Sequence, residues 1–193
     1  MNEHVDRFAR GDWYLDQPEL RERRLAAARL VDDFNRAPLA EPELRTRALQ
    51  QLCSHVGAGV LVVPFFRCTY GSNTSLGTNA FINANAFFMD DAPITIEDSA
   101  RLGPNAQLMT ALHPIEDHAR RREGWEQALP ITIGENTWLG ASVTVGPGVT
   151  IGRNSVIGAG STVLTSIPDH VFAAGSPARV IRELPREEDA PSE

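Results

Sequence analysis

The residue best suited to chemistry is His113, at the point where a repeated aliphatic pattern stops. It ends the block LMTALH and directly precedes a polar segment, Pro114 to Pro130, that interrupts the pattern. An imidazole changes charge near neutral pH, so a histidine in this place suits a general base. A rigid repeat behind it and a loop in front would present it to a substrate. The alternative is an ordinary surface histidine at the base of a loop.

Several further side chains could assist such a base. Glu126, near the end of the polar segment, could orient the imidazole through its second nitrogen, and it is equally well explained as a solvated acid. Asn83 and Asp91 lie on consecutive repeats, where both residue types also serve simply as turn formers. Arg179 and Arg182, in SPARVIR, could bind phosphate groups, or they are a pair of surface charges.

A strict six-residue repeat runs from Ile133 to Pro168. Its blocks are IGENTW, LGASVT, VGPGVT, IGRNSV, IGAGST and VLTSIP. Each block opens with an aliphatic residue, and Gly follows in all but the last, where Leu164 stands. Helices have a period of about 3.6 residues and strands a period of about 2, so neither alone explains the pattern. A fixed short period is typical of a solenoid.

The repeat predicts a mainly β fold, a left-handed parallel β-helix in which three hexads form one triangular coil. The opening aliphatic side chains point inward and stack from coil to coil, while the Gly, Asn or Asp that follows occupies the corner. Less regular hexads begin near Val56 and lead to His113. These hexads define a catalytic domain over residues 56–184. The segment 114–130 is an extruded loop within it, and such loops are usually functional.

The N-terminal part, residues 1–55, is predicted to be helical. One helix begins at Pro18, where proline suits the first turn, and a second begins near Pro42. The predicted buried faces are Leu20, Ala27, Val31 and Phe34 in the first helix, and Leu44, Ala48, Leu49 and Leu52 in the second. We expect these helices to cap the open end of the solenoid. In WYLDQ, Trp13 to Gln17, two aromatic rings beside an acid could form a sugar-binding wall.

Composition narrows the class of protein. A chain of 193 residues accommodates one domain, or one domain with a helical cap, and its net charge of −7 disfavours nucleic acid as a partner. All 18 basic residues are arginine, which removes lysine-based covalent chemistry. Cys53 and Cys68 indicate reduced thiols in the cytoplasm. The sequence predicts no signal peptide and no membrane span, and its acidic tail, residues 185–193, is predicted to be disordered.

The motifs of this chain together resemble the maltose/galactoside O-acetyltransferase family of hexapeptide-repeat acyltransferases. The resemblance extends over nearly the whole chain and rests on motifs in a fixed order. They are WYLD, FN at Phe34, YGSN at Tyr70, MDD, HP at His113, PITIG at Pro130 and AAGSPARVIRE near the end. The resemblance implies a homotrimer with active sites between subunits. It also implies acetyl-CoA as co-substrate, a sugar hydroxyl as acceptor, and no permanently bound cofactor or metal.

The resemblance further implies roles for particular residues. His113 would be the general base, and Asn83 from the adjacent subunit would help to hold the reactants. The acceptor-contacting positions are Asp16, Thr69, Asn83 and Asp91. The coenzyme-contacting positions are Ala141, whose N–H would meet the thioester oxygen, with Ala159, Thr165, Arg179 and Arg182. The family often has a lysine near Leu164 to Ser166, and this chain has none, so the two arginines would carry more of the phosphate binding.

The sequence leaves three other functions open. The acceptor could be another small hydroxylated molecule, such as an antibiotic. A γ-type carbonic anhydrase shares the solenoid, but it needs three histidines around zinc, and only His113 and His118 lie near each other in the sequence. A non-catalytic scaffold would also fit this fold, and it would release no thiol from acetyl-CoA.

Overall fold

A three-sided β-solenoid of about six turns forms the body of the protein. The structure is a computed structural model that describes residues 2–38 and 40–186. The parallel strands of the first face are His55–Val56, Thr74–Leu76, Ile94–Ile96, Ile131–Ile133 and Thr150–Ile151. Those of the second face are Leu61–Val62, Phe81–Ile82, Arg101–Leu102, Trp138–Leu139, Val156–Ile157 and Val171–Gly175, followed by the antiparallel strand Ala178–Glu183. Those of the third face are Arg67–Cys68, Phe87–Met89, Gln107–Met109, Thr144–Val145 and Thr162–Val163. The fold class predicted from the hexads is confirmed.

The aliphatic residues that open the hexads fill the interior of the solenoid, as predicted. Ile133, Leu139, Val145 and Ile151 are all completely buried. Each stacks on its counterpart one coil away, because the strands pair in register. The core is therefore a set of aliphatic columns that runs the length of the solenoid.

The glycines that follow the aliphatic residues are needed for a reason other than the predicted one. A Cβ atom added to Gly134 would lie 2.6 Å from the backbone nitrogen of Arg153 in the next coil, so the coils approach too closely for a side chain. The left-handed backbone that turns the corner falls two residues later, at Asn136 (φ 52°) and Asn154 (φ 54°). Asparagine tolerates that conformation better than most residues.

Helices cover the open end of the solenoid, as the sequence predicts. The helix α2 (Pro18–Arg36) buries the four residues expected of it, and it is followed by α3 (Pro42–Leu52). The ring of Phe34 meets Phe66 of the first coil at a centroid distance of 6.2 Å. The buried face of α3 differs from the prediction. Leu44 is 43% exposed, while Arg45 is buried and donates a hydrogen bond to the Val62 carbonyl at 2.6 Å.

The predicted loop is an ordered arm. The chain leaves the solenoid after Gln107–Met109, forms the strand Ala111–Leu112 and the short helix α4 (His118–Glu123), and returns as the strand Trp125–Ala128. The returning strand pairs antiparallel with both Ala111–Leu112 and an N-terminal strand, Tyr14–Leu15. A further helix, α1 (Glu3–Arg10), precedes that strand and ends at Gly11. We call the three strands, together with α4, the arm. Most of the acidic tail, residues 187–193, lies outside the described residues.

Candidate active site

His113 lies on the arm, directly after the strand Ala111–Leu112, and its side chain is exposed in the single chain. The ring atom Nδ1 is 2.8 Å from the backbone carbonyl oxygen of Trp125. A carbonyl oxygen can only accept a hydrogen bond, so Nδ1 carries the proton of the neutral ring. The other nitrogen, Nε2, then keeps a lone pair that can take a proton from a substrate.

Glu126 does not make the contact with His113 that the sequence predicts. Its carboxylate accepts a hydrogen bond from Tyr14 Oη at 3.0 Å, and the two residues face each other across paired strands. The described hydrogen bonds thus give the orienting role at His113 to the Trp125 carbonyl rather than to the Glu126 carboxylate. Burial and the charge of Asp91 raise the pKa of the Tyr14 phenol, which keeps it a donor.

Asp91 is a buried carboxylate with an unsatisfied oxygen. The residue is 9% exposed, and its Oδ2 has no hydrogen-bond partner among the described residues. Burial, and then the negative charges of Glu126 and Asp90, raise the pKa of Asp91 from 3.8 to about 6, while Arg24 opposes this. Asp91 lines a cavity of about 280 Å³ between α1 and the solenoid. An unpaired buried oxygen of this kind is suited to a ligand that donates a hydrogen bond.

Asp16 is held by a residue that sequence reasoning missed. Arg24 Nη2 donates to both carboxylate oxygens of Asp16, at 2.8 and 2.7 Å, and Arg24 Nη1 donates to Tyr70 Oη at 2.7 Å. Burial raises the pKa of Tyr70 to about 12. The sequence spacing could have indicated this ion pair. Asp16 lies just before α2, and Arg24 follows it by eight residues, which is about two helical turns.

The predicted aromatic wall at WYLDQ is wrong for Tyr14. That ring is 1% exposed and packs edge-on against Phe8 at a centroid distance of 5.2 Å, so it cannot stack on a sugar. Trp13 instead lies beside the guanidinium of Arg120, whose central carbon is 5.6 Å from the ring centroid. Both aromatic residues of this segment therefore pack within or against the arm rather than face a substrate.

Thr69 is positioned by a second buried acid that was not predicted. Its backbone N–H donates to Asp90 Oδ1 at 3.0 Å, and the same oxygen accepts from the Tyr70 N–H at 2.8 Å. Thr74 Oγ1 donates to the other oxygen at 3.0 Å. Asp90 is completely buried, and burial raises its pKa despite these donors. Thr69 and Arg24 both line a groove of about 580 Å³.

Asn83 lies on a different edge of the solenoid, between the second and third faces, which we call the Asn83 edge. Asn83 follows Ile82 as Gly103 follows Leu102 in the next coil, and its Oδ1 accepts from the Ala84 N–H at 2.8 Å. Two of the predicted coenzyme-contacting positions continue this edge. They are Ala141 and Ala159, and the Gly160 N–H donates to the Ala141 carbonyl at 2.8 Å.

His113 and Asn83 are thus separated by a full face within one chain. Asn83 precedes the strand Phe87–Met89, whereas Asp91 follows it. The arm that carries His113 leaves from the same side as Asp91, since Thr110 Oγ1 accepts from the Ala92 N–H at 3.1 Å. We call the edge between the third and first faces, where Asp91 and the start of the arm lie, the His113 edge. A strand with its corners spans well beyond hydrogen-bond reach, so a site that uses both edges needs two copies of the chain.

The remaining predicted coenzyme residues are exposed and divided between these edges. Thr165 follows Thr162–Val163 on the third face and therefore lies on the His113 side. Arg179 pairs with Ala174 at the end of the second face, and Arg182 lies over the ring of Phe172 at 5.7 Å. A larger cavity of about 720 Å³ lies around Asn136 and His170 on the third edge. The chemistry of the side chains, rather than cavity size, therefore locates the candidate site.

Three further observations concern metal ions, thiols and membranes. Across residues 2–38 and 40–186, no three His, Cys, Asp or Glu side chains are grouped so that they could hold a metal ion. Cys53 and Cys68 are free thiols, and burial raises the pKa of Cys53 to about 12. No helix in this part of the chain is long and apolar enough to cross a membrane.

The sequence is similar to known acetyltransferases. Residues 130–165 match the family described as bacterial transferase hexapeptide (six repeats), and residues 7–57 match the maltose acetyltransferase hexapeptide capping motif. The galactoside O-acetyltransferase of Escherichia coli (strain K12) is 42% identical over 181 residues, which cover 93% of this chain and 89% of that protein.

Solved structures give the same relationship. A galactoside acetyltransferase in complex with coenzyme A superposes with a TM-score of 0.90 at 40% identity, covering 96% of this chain and 92% of the other. A maltose O-acetyltransferase from Clostridium difficile 630 gives a TM-score of 0.92 at 38% identity, covering 95% and 98%. The agreement extends over the arm and the helical cap as well as the solenoid.

Proposed function

The chain belongs to the maltose/galactoside O-acetyltransferase family of hexapeptide-repeat proteins, and from that premise we propose that it transfers an acetyl group from acetyl-CoA to a sugar hydroxyl. One observation carries the proposal for the site. The Trp125 carbonyl fixes the proton of His113 on Nδ1 and leaves Nε2 as an acceptor at an exposed position. Asp91, whose buried Oδ2 has no described hydrogen-bond partner, lies on the His113 edge as well.

The proposed reaction is a direct transfer with His113 as general base. Nε2 takes the proton of the acceptor hydroxyl while the hydroxyl oxygen attacks the carbonyl carbon of the thioester. The tetrahedral intermediate collapses, the C–S bond breaks, and the proton leaves on the coenzyme A thiol. A general base of this kind contributes about 10²–10⁴-fold to the rate. The Ala141 N–H would donate to the developing oxyanion, and binding both substrates supplies the rest through placement.

The acceptor would be held by polar groups of the His113 edge. Asp91 Oδ2 is available for a hydroxyl donor. Thr69 lines the groove between α2 and the solenoid, and Asp16 binds Arg24, which lines the same groove. Arg24 would keep Asp16 in place. Glu126 would contribute through its charge and through Tyr14 rather than by touching the imidazole.

We propose a homotrimer, because the required groups lie on two edges of one chain. The Asn83 edge of one copy would face the His113 edge of its neighbour and complete the site. The outer side of the second face supports such packing, because it carries a column of mostly apolar side chains. On the first face, most of the corresponding outward positions are threonines. The column consists of Leu61, Phe81, Trp138, Val156 and Phe172, and Arg101 interrupts it between Phe81 and Trp138. Trp138 is 55% exposed and Leu61 54% exposed in the single chain, which is unusual for an unpartnered surface.

Acetyl-CoA would lie along the Asn83 edge. Ala141 and Ala159 leave room for the pantetheine arm, while Thr165 of the other edge would come from the neighbouring copy. Arg179 and Arg182, at the end of the solenoid, are exposed and suited to the coenzyme phosphates. Residues 56–184 would then form the catalytic unit and residues 1–55 its cap.

We place the protein in the cytoplasm, where acetyl-CoA is available and the thiols of Cys53 and Cys68 would stay reduced. The test of the function is a thiol-release screen with acetyl-CoA against glucosides, galactosides, maltose, amino sugars and chloramphenicol. We expect release with at least one sugar and its loss in His113→Ala. Release with chloramphenicol alone would move the assignment to antibiotics, and no release with any acceptor would refute the transferase activity.

A further inference from the structure

The indole of Trp125 contacts four side chains of α1 and α4. Its Nε1–H donates to Glu123 Oε2 at 3.0 Å, and three further side chains lie against the ring. The imidazole of His4 meets it edge-on, with a centroid distance of 5.4 Å and an interplanar angle of 69°. The guanidinium carbon of Arg120 lies 4.3 Å from the ring centroid, and that of Arg7 lies 5.9 Å away. The charged groups that face this ring therefore come from both α1 and α4.

Arg120 joins the two halves of the arm. Besides its contact with Trp125, its guanidinium lies over Trp13 at 5.6 Å, so one cation lies against two indoles. Indole is the most favourable ring for a cation–π contact, and the planar guanidinium of arginine can stack on it. Arg7 adds a hydrogen bond to the Trp13 carbonyl at 3.4 Å. Nothing in the proposed acetyl transfer uses these contacts.

The backbone of the same strand is fixed as firmly as the ring. Trp125 pairs with Leu15, and the neighbouring Gln127 donates from Nε2 to the Gly11 carbonyl at 2.9 Å. Leu15 in turn donates its N–H to His4 Nδ1 at 3.1 Å. The ring and the main chain of Trp125 are thus both tied to the N-terminal segment.

The carbonyl of Trp125 is the group that holds His113 Nδ1 at 2.8 Å. We propose that Trp125 is a positioning residue, and that Arg120 braces its indole so that the carbonyl keeps the His113 imidazole aimed at the acceptor. This inference rests on the proposed function, in which His113 is the base. A displacement of about 1 Å in a reacting group can cost about 10²-fold in rate.

The test compares two substitutions with a matched control in the intact protein. Trp125→Leu removes the indole but leaves the backbone carbonyl chemically unchanged, so any effect on His113 must act through position. Arg120→Gln removes the brace from an accessible helix and serves if Trp125→Leu does not fold. Arg122→Gln is the control, because Arg122 lies on the same helix, is exposed and has no described contact.

We expect kcat to fall by about 10- to 100-fold in Trp125→Leu and Arg120→Gln, with KM for acetyl-CoA and for the acceptor within about twofold. Arg122→Gln should match the parent protein. The ¹⁵N chemical shifts of the His113 ring should indicate the Nδ1–H form in the parent and a mixture of both ring tautomers in the two variants. The mass of the oligomer in solution and the melting temperature confirm that each variant is folded.

Unchanged kcat and unchanged His113 ¹⁵N shifts in folded Arg120→Gln and Trp125→Leu would overturn the inference, as would an equal loss in Arg122→Gln. The two proposals fail differently. If the parent protein acetylates nothing, the acetyltransferase assignment fails, yet the ¹⁵N shifts still show whether the indole positions the ring.

Discussion

Asp91→Asn is expected to make the protein more stable and less active at the same time. The parent carboxylate is 9% exposed with an unpaired oxygen, and its surroundings raise its pKa from 3.8 to about 6. Above about pH 6 the folded protein must hold this carboxylate ionised against burial and the charge of Glu126. A pKa difference of that size corresponds to a cost of about 3 kcal/mol per subunit.

The sign of the pH dependence follows from proton binding. Between about pH 4 and pH 6 the folded chain binds the Asp91 proton more tightly than the unfolded chain, so this group lowers the free energy of unfolding as pH rises through that window. An asparagine cannot ionise and escapes the cost. The advantage of Asp91→Asn should therefore approach about 3 kcal/mol near pH 7.5 and shrink towards zero near pH 4.

Denaturant unfolding at both pH values, with equal subunit concentrations, measures this difference. Asp33→Asn is the control, since Asp33 is exposed on α2, and it should change the free energy of unfolding by less than about 0.5 kcal/mol. Acetylation assays should show a large rise in acceptor KM for Asp91→Asn alone. A variant that is less stable than the parent near pH 7.5, or whose advantage does not change with pH, would refute this reasoning.

Three further changes test other parts of the account. His113→Ala should lower turnover by at least about 10²-fold while size and acetyl-CoA binding stay intact, and loss of the oligomer would show a structural role instead. Arg179→Ala should raise KM for acetyl-CoA more than it lowers kcat in steady-state assays, and an unchanged KM would remove Arg179 from the coenzyme site. Gly140→Ala should lower the free energy of unfolding by about 1–3 kcal/mol, because its Cβ would lie 2.6 Å from the Ala159 backbone nitrogen. Gly160→Asn is its control and should cost less, because no atom lies near the added Cβ and asparagine tolerates a φ of 70° better than most residues.

The solenoid was predictable because its signal is local and repeated. The hexads set the aliphatic columns, and α2 follows from its proline start and its apolar spacing. The buried face of α3 was partly mistaken, since Leu44 is exposed and Arg45 reaches inward to a carbonyl and to the ring of Phe34. A long side chain can bury its stem and satisfy its charge, and hydrophobic spacing does not register this.

The site was predictable only where single residues carry the signal. His113 was evident from its place at the end of a hexad, but the group that orients it is the backbone carbonyl of Trp125, which no side-chain pattern reports. The contact of Arg24 with Tyr70 and the role of Asp90 were missed because the fold brings these partners together across many residues of sequence. The pairing of the arm with Tyr14–Leu15 is a long-range contact of the same kind.

Subunit complementation tests the central claim, that each site combines the His113 edge of one copy with the Asn83 edge of another. His113→Ala and Asn83→Ala chains would be coexpressed in equal amounts with different tags, and the mixed oligomers purified and assayed for acetyl transfer. In a three-membered ring, every mixed oligomer has one site of three that receives both intact residues, so we expect about a third of the parent activity from two chains that are each nearly inactive alone. Mixed oligomers no more active than the separate variants would contradict a shared site.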